Sequence, residues 1–78
     1  MKFKKLAKVI DHKYIRVTVK MSDRRVKILD STTGVTNDFI KAYGEYEVDS
    51  IGVSLIDTSF FYGVLDIYLK GNEDDPLN

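Results

Sequence analysis

The stretch YIRVTVKM, residues 14–21, alternates strictly between apolar and polar side chains. Ile15, Val17 and Val19 would share one face of an extended chain, which is typical of a strand with one buried side. The turn SDRR and a second alternating stretch, RVKILD, follow at once and predict a hairpin. Because a lone hairpin cannot bury its apolar face, the rest of the chain must supply a covering layer.

An amphipathic helix at the start of the chain is the first candidate for that layer. In KFKKLAKVID the apolar residues Phe3, Leu6, Ala7 and Ile10 recur at the spacing of one helix face, with lysines between them. The pattern therefore predicts a helix over residues 2–11.

A second, shorter helix is predicted after the loop DSTTG. Thr36 is suited to be its N-cap, because a threonine hydroxyl accepts a hydrogen bond from the first turn. Phe39, Ile40 and Tyr43 would form its apolar stripe, and Gly44 would end it. Two more strands follow, one containing EYEVDSIGVSL and the last containing VLDIYLK.

The predicted elements occur in the order αββαββ, which indicates a two-layer α+β domain. We expect a four-stranded, mostly antiparallel sheet with two helices on one face and the other face open to water. This single domain would span residues 1–70, and GNEDDPLN, residues 71–78, would form a flexible acidic tail.

The composition excludes several classes of function. The 78 residues include no cysteine, so disulfides and thiolate chemistry are absent. The longest apolar run near the N-terminus is two residues, too short for an export signal or a membrane span, so we predict a cytoplasmic protein. No phosphate-binding loop, dinucleotide fingerprint or metal motif is present, and nothing marks a catalytic partner for His12. We therefore predict a non-enzyme with no cofactor.

Charge is unevenly distributed although the net charge is zero. Residues 1–41 hold eleven Lys and Arg against four acids, a balance of +7, and residues 42–78 hold one Lys against eight acids, a balance of −7. Either the charges of the two halves meet across one sheet, or the molecule has a basic pole and an acidic pole. We favour the first interpretation, because so small a domain cannot hold its halves apart.

Three acids, Glu45, Glu47 and Asp49, alternate in EYEVDS and would project from one strand face. Parallel side chains about 7 Å apart do not converge on one ion, so metal binding or catalysis is the least favoured interpretation. The acids would instead form a solvated face, which we favour, or a partner-binding surface that mimics nucleic-acid phosphates.

The apolar alternation changes parity after these acids, because Ile51, Val53 and Leu55 occupy the opposite positions to Tyr46 and Val48. A β-bulge at residues 49–50 would bring both sets to the same side of the sheet. The alternative is that a partner chain buries the later set on the other side. We favour the bulge.

The segment TSFFYG places Phe60, Phe61 and Tyr62 in succession. Neighbouring side chains of an extended chain point to opposite sides, so all three cannot be buried together. Exposed aromatic residues are good binding hot spots, and with the three acids they form the predicted partner-binding set. The alternative is that one phenylalanine closes the end of the core.

The basic half offers an alternative function, nucleic-acid binding. Its cations lie on the first helix and the hairpin: Lys4, Lys5, Lys8, Arg16, Lys20, Arg24, Arg25 and Lys27. They are numerous enough to contact phosphates, but the chain has no helix-turn-helix, zinc or ribonucleoprotein signature. We favour a solvated surface here, and a protein partner over a nucleic acid.

Three stretches carry a resemblance to known proteins: MKFKKLAKVID before the hairpin, YGEYEVDSI after the second helix, and LDIYLKG at the end of the last strand. Their order is similar to that in small uncharacterised proteins encoded by bacteriophages and other mobile elements. The resemblance implies a phage accessory protein and, by analogy of class, an inhibitor of a host defence system such as an anti-CRISPR. It assigns no role to any individual residue.

The surface features and the resemblance together predict a small protein-binding module. Its target would be a host protein that handles nucleic acids or acts in defence, such as a CRISPR–Cas component. Homodimerisation is a further option, because a small sheet leaves edge strands to be covered.

Overall fold

The computed structural model describes residues 1–56 and 62–72, without the side chains of residues 56 and 62. Its elements confirm the αββαββ order and the α+β class. They are α1 (Phe3–Ala7), β1 (Ile15–Lys20), β2 (Arg25–Ser31), α2 (Asn37–Tyr43), β3 (Val48–Ile56) and β4 (Tyr62–Lys70). No helix in the described part of the chain is long and apolar enough to cross a bilayer.

The four strands form one mixed sheet in the order β2-β1-β4-β3. β1 pairs antiparallel with β2 and parallel with β4, and β4 pairs antiparallel with β3. Two hairpins therefore lie side by side, joined through the central strands β1 and β4. Helix α2 connects one edge strand, β2, to the other, β3. Two of the three pairings are antiparallel, which confirms a mostly antiparallel sheet.

The core lies on the helix side of the two central strands. Val17 of β1 lies beside Ile67 of β4 in the parallel ladder, and both are fully buried. The alternation of YIRVTVKM thus places its apolar set inward, as predicted. The buried cluster comprises Phe3, Leu6, Ile15, Val17, Val19, Ile67 and Leu69.

Helix α1 is shorter than predicted, since it ends at Ala7 rather than near residue 11. Lys2 provides no side-chain cap at its start. After Ala7 the backbone amides of Val9 and Ile10 both donate to the Leu6 carbonyl, at 3.0 and 3.2 Å, so the helix closes in a turn. Ile10 still packs against the core, which explains why its position fitted a helical spacing.

Helix α2 begins at the predicted cap, where the Thr36 hydroxyl accepts a hydrogen bond from the Phe39 amide at 3.2 Å. Gly44 ends it at the contact with α1. The Gly44 carbonyl accepts from the Lys4 amide at 2.9 Å, and a Cβ at Gly44 would lie 3.0 Å from the Lys4 Cβ. The rings of Phe3 and Phe39 meet edge to face at 5.8 Å, so α2 packs on α1.

Candidate protein-binding surface

A β-bulge interrupts β3 near its start. The register against β4 shifts between Val48 and Ser50, which makes Asp49 the extra residue and confirms the predicted bulge. Val48 and Ile51 both lie opposite core residues of β4. The bulge therefore brings the apolar residues of both halves of β3 to the helix side of the sheet.

The helices do not cover the second half of β3. Ile51, Val53 and Leu55 are 48, 70 and 77 % exposed, although they lie on the helix side. Helix α1 has only five residues, about 7.5 Å of rise. The Tyr43 ring of α2 packs 5.7 Å from the Tyr46 ring, before β3 begins. We call Ile51, Val53 and Leu55 the β3 strip.

β3 is also an edge strand, and among the described residues its outer edge is paired only at the start. The Val48 amide donates to the Met1 carbonyl at 2.8 Å, and Lys2 forms a bridge with Glu47. Beyond this point, none of the described residues pairs with the outer edge of residues 50–56. That stretch, SIGVSLI, contains no charge and no proline. Such an edge is a template for another strand.

Two of the predicted site acids pair with the N-terminal segment. The carboxylate of Glu45 lies 2.5 Å from the Nζ atoms of both Lys2 and Lys4, and that of Glu47 lies 3.1 Å from the N-terminal amine. Hydrogen bonds from Lys2, which has the larger effect, and from Lys4 lower the pKa of Glu45 from 4.5 to about 2. These groups are 47 to 65 % exposed, so each pair adds little stability.

The third acid, Asp49, pairs across the sheet with Lys20 of β1, whose Nζ lies 2.9 Å from Oδ2. This hydrogen bond lowers the pKa of Asp49, against the opposing effect of burial. All three acids therefore meet positive charge from residues 1–41, as favoured from the sequence. Part of this pairing is at the N-terminal segment rather than across the sheet. A binding role for these acids stays a prediction, and a partner would compete with their internal ion pairs.

The predicted aromatic site falls mainly outside the described residues. Phe60 and Phe61 lie in the segment that the structure does not describe, and Tyr62 is known only as the first residue of β4. The binding role of these three residues stays a prediction.

The cations of the alternative nucleic-acid surface are interleaved with acids. Arg24 lies 3.3 Å from Asp23, and Lys27 lies 3.2 Å from Asp30. Phosphates would have to displace carboxylates that are already in place, and nucleic-acid binding stays a prediction. The other members of this set are Lys4 and Lys20, described above, Lys5 and Lys8 at α1, Arg16, and Arg25, whose guanidinium lies 5.8 Å from the Tyr68 ring centre.

Sequence reasoning missed a buried polar centre on the face of the sheet opposite the helices. Asp66 of β4 lies beside Arg16 of β1, with 3.6 Å between Oδ1 and Nη1. The Ser54 hydroxyl donates to the other oxygen of Asp66, and Arg16 also approaches Asp30 at 3.8 Å. The only signal in the sequence is one acid within the apolar stretch VLDIYLK.

Comparison with models of protein families, with curated proteins and with solved structures finds no match for this chain. Within residues 1–56 and 62–72, no group of three or more His, Asp or Glu side chains is placed to hold a metal ion. His12 has a structural contact, because its Nε2 donates to the Gly63 carbonyl at 2.6 Å.

Proposed function

We propose that this chain is a non-enzymatic protein-binding module whose contact surface is the second half of β3. The observation that carries the proposal is the coincidence of two features in residues 50–56. No strand in the described part of the chain pairs with the backbone donors and acceptors of their outer edge, and their helix side carries the exposed β3 strip. Strand addition to a sheet uses both, since backbone hydrogen bonds provide affinity and alternate side chains provide specificity.

Burial of the β3 strip would supply much of the binding energy. Ile51, Val53 and Leu55 are three of the five large apolar side chains exposed in the described part of the chain. Full burial of such a side chain contributes about 1.5–3 kcal/mol, and these are roughly half to three-quarters exposed, so each would contribute about 1–2 kcal/mol. The strip is therefore large enough to hold an extended partner strand.

The narrower hypothesis is a phage-encoded inhibitor of a host nucleic-acid-handling or defence protein, such as a CRISPR–Cas component. It is supported by the sequence resemblance, and it requires a cytoplasmic location, which also stays a prediction. An acidic interface would exchange the pairs of Glu45, Glu47 and Asp49 for cations of the partner. An interface at β3 leaves those pairs intact.

Affinity capture with three tagged versions of the chain tests the proposal: wild type, Val53→Lys and Val9→Lys. The last is a matched control, because Val9 is 77 % exposed and lies in the turn after α1 rather than on β3. We expect proteins recovered from a bacterial lysate with wild type and with Val9→Lys to be lost with Val53→Lys. Recovery of the same proteins with all three versions would contradict the proposal.

A second variant separates β3 from the acidic surface. Replacing Glu45, Glu47 and Asp49 by Gln, Gln and Asn removes the charges with little change of shape. We expect this variant to retain the partners of the wild type. Loss of those partners from a folded variant would favour the acidic surface instead.

A further inference from the structure

We infer that the partner of the β3 edge is a second copy of this chain, bound by antiparallel pairing of the two β3 strands about a two-fold axis at Val53. This inference rests on the proposed function, because it names the occupant of the same surface. It would join two four-stranded sheets into one sheet of eight strands.

The two edges of the sheet differ in how they are protected. The edge strand β2 carries the charged residues Arg25, Lys27 and Asp30 on the face opposite the helices, and such charges discourage the addition of another strand. The open stretch of β3, residues 50–56, carries no charge. In the eight-stranded sheet the unprotected edge becomes internal, and both outer edges are β2.

The position of the two-fold axis follows from the extent of the open stretch of β3, residues 50–56. The stretch is bounded at one end by Met1 and Lys2, which lie beside residues 46–48, and at the other by the end of β3 at residue 56. Its midpoint is Val53. A closed dimer uses the same stretch on both copies, so the axis must pass through that midpoint if the whole open edge is to be paired.

In this register, the apolar side chains of β3 face apolar side chains of the second copy. Facing residues of an antiparallel pair share one side of the sheet, so Ile51 would face Leu55 of the second copy, and Val53 would face Val53. The two β3 strips would then form one apolar row. An axis one residue earlier would place Leu55 opposite the charged Asp49, so the charge pattern also favours the axis at Val53.

The size of this interface sets the affinity that we expect. Seven residues at about 3.4 Å each give roughly 24 Å of shared edge. Among the described side chains, three apolar ones per copy would be buried, so we expect a dissociation constant in the micromolar range rather than a nanomolar one.

The oligomeric state gives the first test. Light scattering after size exclusion should be measured over a series of protein concentrations that spans the micromolar range. The molar mass of wild type should rise along this series from that of one chain towards that of two. Val9→Lys should behave as wild type, and Val53→Lys should raise the dissociation constant about tenfold or more, because it sets two ammonium groups against each other. A wild type that stays monomeric throughout would overturn the inference.

Disulfide trapping tests the register. The chain contains no cysteine, so Val53→Cys introduces a single thiol. Facing residues have Cα atoms about 4.5–5.5 Å apart, which suits a disulfide. We expect oxidised Val53→Cys to form a covalent dimer and Leu55→Cys, whose facing residue is Ile51, to remain uncoupled. Equal coupling of the two variants would overturn the axis at Val53. So would the failure of both variants to form a covalent dimer, if wild type is found to dimerise.

The two proposals fail in different ways. If wild type is monomeric, but proteins captured with wild type are not captured with Val53→Lys, the dimer inference is wrong and the protein-binding proposal stands. If Val53→Lys changes neither mass nor capture, both are wrong.

Discussion

The Arg16–Asp66 pair allows the most quantitative prediction. The Asp66 side chain is 9 % exposed and that of Arg16 is 33 % exposed. Replacing Arg16 by Leu would leave a buried carboxylate whose remaining side-chain partner in the described structure is the Ser54 hydroxyl. Breaking a fully buried pair from one side costs about 3–5 kcal/mol. Because a third of Arg16 already lies in solvent, we expect a loss of about 2 kcal/mol in the free energy of unfolding.

Asp66→Asn distinguishes an unpaired charge from lost packing. This change removes the charge but keeps the shape, and Arg16 retains Asp30, so alone it should cost about 1 kcal/mol or less. In the Arg16→Leu background it should restore part of the lost stability, because no unpaired carboxylate remains. Lys27→Leu is the control, since it removes only an exposed partner of Asp30 and should change stability by less than about 0.5 kcal/mol.

Urea unfolding and thermal unfolding, both followed by far-ultraviolet circular dichroism, measure all four variants. In a domain of this size 1 kcal/mol moves the Tm by about 4–8 °C, so Arg16→Leu should lower it by roughly 10 °C. Two results would refute the reasoning: losses that simply add in the double variant, or an Arg16→Leu loss no larger than that of Lys27→Leu.

Two further predictions concern the N-terminal segment and the end of α2. The folded-state pKa of Glu45 is depressed from 4.5 to about 2, so the stability that it provides is present above about pH 4.5 and is lost as pH falls towards 2. In Glu45→Gln the free energy of unfolding should change less with pH in that window than in wild type. Equal slopes for the two proteins would show that the pairs of Glu45 with Lys2 and Lys4 do not stabilise the fold. Gly44→Ala should lower the free energy of unfolding measured with urea by about 1–3 kcal/mol, because its Cβ would overlap the Ile40 carbonyl oxygen at the end of α2 and would also lie 3.0 Å from the Lys4 Cβ. Gly52→Ala, whose Cβ would meet nothing within 4 Å, should cost much less, and equal losses would contradict the tight packing around Gly44.

Features that depend on neighbouring residues could be predicted from the sequence. The alternation around Val17 predicted an inward apolar face, Thr36 predicted the start of α2, and the change of parity after Asp49 predicted the bulge. In each case the physical cause is local, because side-chain direction and capping are decided within a few residues.

Features that depend on the path of the chain could not be predicted in this way. Arg16 meets Asp66 because β1 and β4 are parallel neighbours, a pairing that no local pattern reveals. Glu45 meets Lys2 because the N-terminal segment runs beside the start of β3. The exposure of Val53 depends on how much of the sheet the helices cover. The sequence around Val53 alternates as in a strand with one buried face, so the pattern alone does not reveal this exposure.

The most direct test of the account is amide hydrogen exchange in residues 50–56, measured in dilute protein and again in the complex, whether homodimer or captured partner. If β3 is the contact surface, amides of this stretch should exchange more slowly in the complex, and Val53→Lys at the same concentrations should lose that protection. Unchanged exchange in residues 50–56, with protection appearing elsewhere on the chain, would contradict the account.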